Sequence, residues 1–142
     1  MERNFIDGYT EWQTNPEIVA VNKLPQHATL MPYENFDEAK KADRYASTRC
    51  KLLNGKWKFK LYKNYAYRPS DFAQPHYDSH NWDSVIVPCS WQMQGYDQAQ
   101  YCNVRYPWEG SEDICPPNAP TKHNPVGCYL KRIHINEAVL SK

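Results

Sequence analysis

The sequence predicts an all-β protein, an incomplete β-sandwich preceded by an extended N-terminal arm. Three segments carry apolar residues in strand-like patterns. The 142 residues include 11 prolines but only 5 glycines, and 14% of them are aromatic. Frequent proline disfavours long helices and favours short strands joined by rigid loops. The aromatic content is too high for a compositionally disordered chain, so a packed core is expected.

Residues 1–49 are polar and have no sustained periodicity of apolar residues. This pattern predicts an extended arm rather than a domain. Three X-Pro steps interrupt them: Asn15-Pro16, Leu24-Pro25 and Met31-Pro32. These steps exclude one continuous helix. A short surface helix is predicted between Asn35 and Ala46, with Asn35 or Asp37 as its N-cap. The arm has too little apolar surface for its own core, so we expect it to lie over a larger body.

The first strand follows the step Asn54-Gly55 and runs to Tyr62. Its large apolar residues share one face and its lysines share the other: Trp57, Phe59 and Leu61 against Lys56, Lys58 and Lys60. A period of two predicts an antiparallel strand with one solvent-exposed face. The Asn-Gly step predicts a tight turn, because both residue types accept positive φ.

A polar loop over residues 63–83 leads to the second predicted strand. This strand spans Trp82–Pro88 and has Val85–Val87 at its centre. An aromatic, irregular segment follows at residues 89–96.

A loop with five prolines, residues 107–125, precedes the third predicted strand, Gly127–Ile135. Tyr129, Ile133 and Ile135 are expected on one side of that strand. Three strands do not close a β-sandwich, which normally needs about seven or eight. The sequence therefore suggests that part of a domain is missing.

Charge and hydropathy exclude several classes of partner. The formal net charge is +1, without a block of like charges, so neither nucleic acid nor an anionic membrane is an expected partner. No stretch approaches the roughly 20 apolar residues of a membrane span. The first ten residues lack the apolar run of a secretory signal, which predicts a cytoplasmic protein.

No metal site is predicted. The five cysteines contain no C-x-x-C pair and are expected to be reduced and mostly buried: Cys50, Cys89, Cys102, Cys115 and Cys128. His76 and His80 have the spacing of helical ligands, but they lie in a loop that follows Pro75 and have no evident third ligand.

Several segments resemble, in order, the sugar-binding domain of glycoside hydrolase family 2 and especially its large bacterial β-galactosidases. These segments are Trp12–His27, Leu53–Phe59, Phe72–Trp82, Val87–Asp97, Tyr101–Pro107 and Asn124–Tyr129. The likeness covers roughly residues 11–136. It implies a galactose-binding-like jelly roll that begins at residue 50 and continues to residue 142, where it is truncated. It also implies an enzyme that removes terminal non-reducing β-D-galactose from β-galactosides such as lactose.

The resemblance assigns no catalytic residue to this chain. Retaining glycosidases need two carboxyl groups about 5 Å apart. In this family both are glutamates on a TIM barrel, which alone takes about 250 residues. The chain alone is therefore predicted to be inactive. Its loop glutamates are interpreted as solvated charges: Glu34, Glu38, Glu109 and Glu112.

The resemblance does assign a substrate contact. The motif Tyr-x-Asn-Val-x-Tyr-Pro places an asparagine in the mouth of the barrel, where it hydrogen-bonds galactose. The matching residue is Asn103, with Val104 beside it. From the residues alone, the interpretation of Asn103 as a turn cap is favoured over substrate contact, and only the resemblance reverses that preference. Full-length family members use magnesium and sodium ions. One extra residue between Trp12 and Asn15 leaves no ligand assigned here.

Two other functions stay open: a non-catalytic carbohydrate-binding module, and a complementing or interface fragment that restores an enzyme lacking its arm. The expected partners are the remainder of the β-galactosidase polypeptide and, in the full-length enzyme, substrate and further copies in a homo-oligomer. Trp57, Trp82 and Trp91 are interpreted as core residues rather than a sugar-stacking platform, while Trp108 is unassigned.

The isolated chain is predicted to be partly ordered and prone to aggregate. A domain cut after its third strand buries too little apolar surface to offset a backbone entropy of about 1–2 kcal/mol per residue. Scanning calorimetry of the purified chain should therefore show a broad, weak transition. A sharp cooperative transition would contradict this prediction.

Overall fold

The computed structural model describes residues 5–6, 9–10, 14–20, 23–98, 103–104, 106–113, 115–135 and 137. Its elements are β1 (Phe5–Ile6), β2 (Tyr9–Thr10), α1 (Phe36–Lys41), β3 (Gly55–Tyr62), β4 (Asp83–Val87) and β5 (Val126–Leu130), with 3-10 turns at Tyr65–Tyr67 and Trp91–Gln94. Strands exceed helix among these elements, so the prediction of an all-β fold is confirmed. No helix among these residues is long and apolar enough to span a membrane.

The chain divides into two compact units. One comprises Ala20–Asn54, and the other joins Met1–Val19 to Gly55–Lys142. In the second unit, β1 and β2 pair as a short antiparallel hairpin that the sequence did not predict. Parts of the arm motif, including Trp12, Val21 and Asn22, lie outside the described residues.

The smaller unit contains the predicted surface helix. Asn35 is its N-cap, because its side-chain oxygen accepts a 2.9 Å hydrogen bond from the backbone N–H of Glu38. Acidic residues in the first turn and lysines in the last turn complement the helix dipole. The helix ends at Lys41 rather than near Ala46, because Ala42 adopts a left-handed conformation with φ of 52°.

A buried hydroxyl ties the smaller unit together beyond the helix. Ser47 is 4% exposed, donates to the Pro32 carbonyl at 3.0 Å and accepts from the Arg49 N–H at 3.1 Å. The Arg49 guanidinium then pairs with the Glu34 carboxylate at 2.5 Å. The sequence suggested that Glu34 is an isolated solvated charge. The structure shows instead that it forms an ion pair.

Strand β3 lies at the centre of a three-stranded antiparallel sheet of order β4-β3-β5. Its register sets Trp57 opposite Val85 and Phe59 opposite Tyr129. Phe59 and Val85 are 0% and 2% exposed, so the predicted alternation of β3 is confirmed. The core of the larger unit is centred on these two side chains.

Three aromatic rings surround Phe59. Tyr96 and Tyr129 lie at centroid distances of 4.7 and 4.8 Å, and Trp91 lies at 6.1 Å. Such tilted and edge-on pairs add about 0.5–1.5 kcal/mol each to the area that they bury. Trp91 begins a 3-10 helix, so the segment predicted to be irregular is locally ordered. Its indole packs so closely on β5 that only glycine fits at position 127.

The lysine face of β3 is only partly solvent-exposed: Lys56 and Lys60 are exposed, as predicted, but Lys58 is half-buried. Cys128 lies opposite Lys60 and is 3% exposed. Trp82 is buried and stacks with Phe72 at 6.2 Å, with Tyr77 edge-on at 5.5 Å. The polar loop of residues 63–82 thus supplies a second aromatic cluster.

Hydrogen bonds hold this loop against the sheet. The Lys58 ammonium donates to the carbonyls of Trp82 at 2.9 Å and His80 at 3.2 Å. Arg132 reaches back from the residues after β5 and donates to the Tyr77 carbonyl at 2.5 Å. Burial beside Tyr77 raises the pKa of Tyr62 to about 12, because the phenolate loses hydration there.

The tryptophans differ in burial. Trp82 and Trp91 pack among core residues, as predicted. Only Trp82 is fully buried among these three; Trp91 and Trp57 are both half-buried, and the Lys131 ammonium lies 5.5 Å from the Trp57 ring centroid.

The observed strands differ in their bounds from the sequence prediction: β4 spans Asp83–Val87 rather than Trp82–Pro88, and β5 spans Val126–Leu130 rather than Gly127–Ile135. Strand β5 ends at Leu130, and Ile133 and Ile135 are 44% and 47% exposed rather than buried on a strand face. The step Asn54-Gly55 makes no tight turn: Asn54 lies in a segment without regular structure, and Gly55, with φ of 107°, is already the first residue of β3. Glycine begins β3 in a conformation that side chains disfavour.

The thiols are less buried than predicted. The described cysteines are free, but only Cys128 is buried, while Cys89 and Cys115 are exposed and Cys50 is half-buried. Burial raises the pKa of the Cys128 thiol, which keeps it protonated. Cys102 lies outside the described residues.

Gly127→Ala should lower the stability of the larger unit, because the new methyl group would lie 2.5 Å from the Trp91 ring and 2.8 Å from the Phe59 ring. Overpacking of this kind costs about 1–3 kcal/mol, equivalent to roughly 5- to 150-fold faster amide exchange in β3 and β5. Hydrogen exchange measured by mass spectrometry reports the change. The double variant Gly127→Ala/Trp91→Leu should recover part of the protection, and unchanged exchange in the single variant would contradict this packing.

Candidate functional site

Asn103 and Val104, the residues assigned to substrate contact by resemblance, lie at the surface of the larger unit. Both side chains are exposed, and Val104 retains 80% of its accessible surface. Tyr106 is 82% exposed. The remaining motif residues, Tyr101, Cys102 and Arg105, lie outside the described residues. The motif thus presents an amide, an aliphatic side chain and an aromatic ring to solvent.

The chain before Asn103 is anchored to the sheet at Trp91–Tyr96. Gln94 fastens this segment to β4: its side-chain oxygen accepts from the Ile86 N–H at 2.7 Å, and its amide donates to the Ile86 carbonyl at 3.1 Å. One carboxamide therefore occupies both backbone groups of Ile86, as a paired strand would. Gly95, with φ of 87°, ends the 3-10 helix and directs Tyr96 onto Phe59.

The chain after Asn103 enters a segment that we call the proline loop, residues 106–113 and 115–125. Its first part is a compact series of turns: the Tyr106 N–H donates to the Glu109 carboxylate at 3.0 Å, and the Ser111 and Glu112 N–H groups donate to the Trp108 carbonyl. The Trp108 indole N–H donates to the His123 carbonyl at 2.6 Å. Trp108 therefore joins the two ends of the proline loop and is not a free stacking platform.

Glu112 makes the densest set of contacts in the proline loop. One carboxylate oxygen accepts from the Thr121 N–H at 2.7 Å, the Thr121 hydroxyl at 3.1 Å and the Lys122 N–H at 3.0 Å. The other oxygen accepts from the Lys122 N–H at 2.9 Å and the His123 N–H at 3.3 Å. The interpretation of Glu112 as a solvated charge is therefore wrong.

These bonds lower the pKa of Glu112, with the Thr121 backbone bond as the largest cause. Two further amides support the same turn. Asn64 donates to the Thr121 carbonyl at 3.0 Å, and Asn124 donates to the Pro120 carbonyl at 3.1 Å. The turn at 121–124 leads directly into β5, so the proline loop is tied to the sheet at this end.

Two carboxyl groups, Glu112 and Asp78, have shifted pKa values, and neither shift suits acid catalysis. Both pKa values are lowered by hydrogen bonds from backbone N–H groups, so both groups favour the ionised form. A glycosidase acid needs the opposite shift. His80, a candidate ligand by spacing, contacts the Asp78 carboxylate at 2.9 Å.

Among the residues that the structure describes, no group of three or more His, Cys, Asp or Glu side chains is arranged to hold a metal ion. We therefore assign no ligand among these residues to the magnesium and sodium ions that the resemblance implies.

Glu112 and Gln94 are the two anchoring residues that the sequence did not reveal. Both act on backbone groups eight to eleven positions away through loops without regular periodicity. No local spacing rule identifies such contacts.

Comparison with known proteins gives consistent matches. Residues 50–142 match the family model described as "Glycosyl hydrolases family 2, sugar binding domain". The chain is 48% identical over 125 residues to a protein named "Beta-galactosidase" from Priestia megaterium, a match that covers 88% of this chain and 12% of the relative. It is 40% identical over 124 residues to a β-galactosidase from Halalkalibacterium halodurans, covering 87% and 12%.

A third relative, "Beta-galactosidase large subunit" from Lactobacillus helveticus, is 38% identical over 143 residues, which cover 92% of this chain and 22% of the relative. The chain thus spans only about 12–22% of the length of these three relatives.

The hydrogen bonds between the Glu112 carboxylate and the Thr121–His123 N–H groups should persist as the pH is lowered, until Glu112 is protonated. Because the folded-state pKa of Glu112 is lowered, its contribution is complete above the ordinary glutamate pKa and is lost as pH falls through the lowered value. The indole N–H resonance of Trp108, followed by NMR during acid titration, should shift in that low range. Glu112→Gln should abolish this step and Asp113→Asn should keep it. An unchanged step in the Glu112 variant would contradict the assignment.

Proposed function

The chain belongs to glycosyl hydrolase family 2, because residues 50–142 match the sugar-binding domain of that family. From this membership we propose that it forms part of a β-galactosidase that removes terminal non-reducing β-D-galactose from β-galactosides such as lactose. Residues 1–49 supply the N-terminal arm, and residues 50–142 supply part of a jelly-roll sugar-binding domain. The 48% identity to a protein named β-galactosidase, over 88% of the chain, is the observation that carries this proposal.

Asn103 is the residue of this chain that contacts galactose, with Val104 packing beside the sugar. The exposed carboxamide has two donors and one acceptor, which matches neighbouring sugar hydroxyls. The backbone on both sides is anchored, by Gln94 and Tyr96 before Asn103 and by Trp108 and Glu112 after it. An anchored loop loses little conformational entropy when it binds, so this support favours tight substrate contact.

The chain contributes no catalytic carboxyl pair, so it is inactive alone. The acid/base and the nucleophile come from the remainder of the β-galactosidase polypeptide, where two carboxyl groups about 5 Å apart act on the bound sugar. Asn103 orients the galactose ring for that pair. In this proposal the full-length enzyme is a cytoplasmic homo-oligomer that binds magnesium and sodium ions.

A second candidate function, complementation, is supported by the exposed apolar side chains of the arm. Val19, Leu24 and Leu30 are 82%, 81% and 84% exposed, in segments without regular secondary structure. Large apolar residues in an irregular polar segment suit burial against another surface. The chain would then restore activity to a β-galactosidase that lacks its own arm. A binding module without hydrolysis is the remaining alternative.

The substrate role of Asn103 is tested in a hybrid enzyme, in which this chain replaces the matching segment of the Priestia megaterium β-galactosidase. Asn103→Ala should lower kcat/KM on a chromogenic β-galactoside by roughly 5- to 150-fold, the cost of leaving a sugar hydroxyl unpaired. Asn118→Ala, an exposed asparagine of the same proline loop, is the matched control and should stay near the parent value.

Equal activity of the Asn103 variant and the parent would contradict the substrate contact. A hybrid that folds and binds β-galactosides but does not hydrolyse them would favour the binding module instead.

A further inference from the structure

We infer that Glu112 is a positioning residue, whose carboxylate closes the proline loop on the turn Thr121–His123 and thereby holds Asn103 in place for galactose. This inference rests on the proposed function, because it assigns Glu112 a role that acts through Asn103.

The turn Thr121–His123 presents a site for an anion. Its three consecutive backbone N–H groups converge on Glu112, at 2.7 to 3.3 Å from the carboxylate oxygens. Successive N–H groups of this kind form a concave anion-binding nest. Hydrogen bonds to an ionised acceptor are short and roughly twice as strong as neutral ones. Here the anion is the Glu112 carboxylate of the same chain, so these hydrogen bonds join two parts of the proline loop. We call the contact between Glu112 and the N–H groups of Thr121–His123 the latch.

Both carboxylate oxygens are needed for the latch. One accepts from Thr121 and Lys122, and the other accepts from Lys122 and His123. A glutamine side chain has the same shape but a single acceptor oxygen, and its NH2 group would face backbone donors. Glu112→Gln therefore removes the negative charge and one of the two acceptor oxygens of the latch, with almost no change of volume.

The latch holds residues 106–112, the described ordered segment that follows Asn103 most closely along the chain. Residues 106–112 form one compact series of turns, which begins three positions after Asn103. Glu112 and the Trp108 indole fasten this series to residues 121–123, and those residues lead into β5. On the other side, the described ring contact nearest to Asn103 is that of Tyr96 with Phe59, seven positions before it. Release of Glu112 thus loosens the described anchor that lies nearer to Asn103 along the chain.

The latch itself is tested on the purified chain by limited trypsin digestion, because Lys122 lies within the latched turn. Glu112→Gln should speed cleavage of the Lys122–His123 bond by about tenfold, measured by mass spectrometry against cleavage after Arg44 in the other unit. Asp113→Asn removes a neighbouring exposed carboxylate and should leave the rate within about twofold of the parent. Equal cleavage in the two variants would overturn the latch.

The positioning role is tested in the hybrid enzyme by a double-mutant cycle. Glu112→Gln should lower kcat/KM by about 3- to 10-fold when Asn103 is present and by less than twofold in the Asn103→Ala background, because coupled residues are non-additive. An equal loss in both backgrounds would overturn the positioning role even if the digestion result holds. If Asn103→Ala alone has no effect, the proposed function fails, while the digestion result still decides whether the latch exists.

Discussion

The burial of Phe59 is the interaction on which the larger unit depends. Its ring is 0% exposed and lies at the middle of the central strand, against Trp91, Tyr96 and Tyr129. Two of these rings come from the segment after β4, and the third comes from β5. The ring therefore fixes both the strand order and the start of the loop that carries Asn103. Loss of a buried phenylalanine costs about 3–5 kcal/mol, which is a large fraction of the stability of a small domain.

The sequence predicted those parts of the fold that local pattern determines. The two-residue alternation of β3, the apolar centre of β4 and the cap at Asn35 all depend on residues within a few positions of one another. The second aromatic cluster escaped prediction because Trp82, Tyr77 and Phe72 reach the lysine face from a polar loop. The end of β5 was also missed, because Ile133 continues an apolar alternation after the strand has ended.

The candidate site was predictable only in part. Asn103 and Val104 come from a motif, and their contact with sugar remains a prediction. The anchors that hold them were not predictable, because Gln94 and Glu112 bond to backbone groups across irregular loops. The periodicity of apolar residues predicts which side chains share a face of a strand. It does not predict which residues of an irregular, proline-rich loop contact each other. The two ends of the segment that carries Asn103 are therefore held in different ways. Packing of Tyr96 on Phe59 fixes the chain before Asn103, and the ionised Glu112 carboxylate fixes the chain after it.

The central claim is that this chain supplies a sugar-contacting part of a β-galactosidase and none of its catalytic carboxyl groups. The most direct measurement is hydrolysis of a chromogenic β-galactoside by the purified chain, alone and mixed with the Priestia megaterium enzyme lacking the 125 matched residues. No turnover by the chain alone is the predicted result, and turnover in the mixture would also support complementation. Turnover by the chain alone that survives repurification would contradict the claim, whereas a mixture as inactive as its parts would count only against complementation by a separate chain.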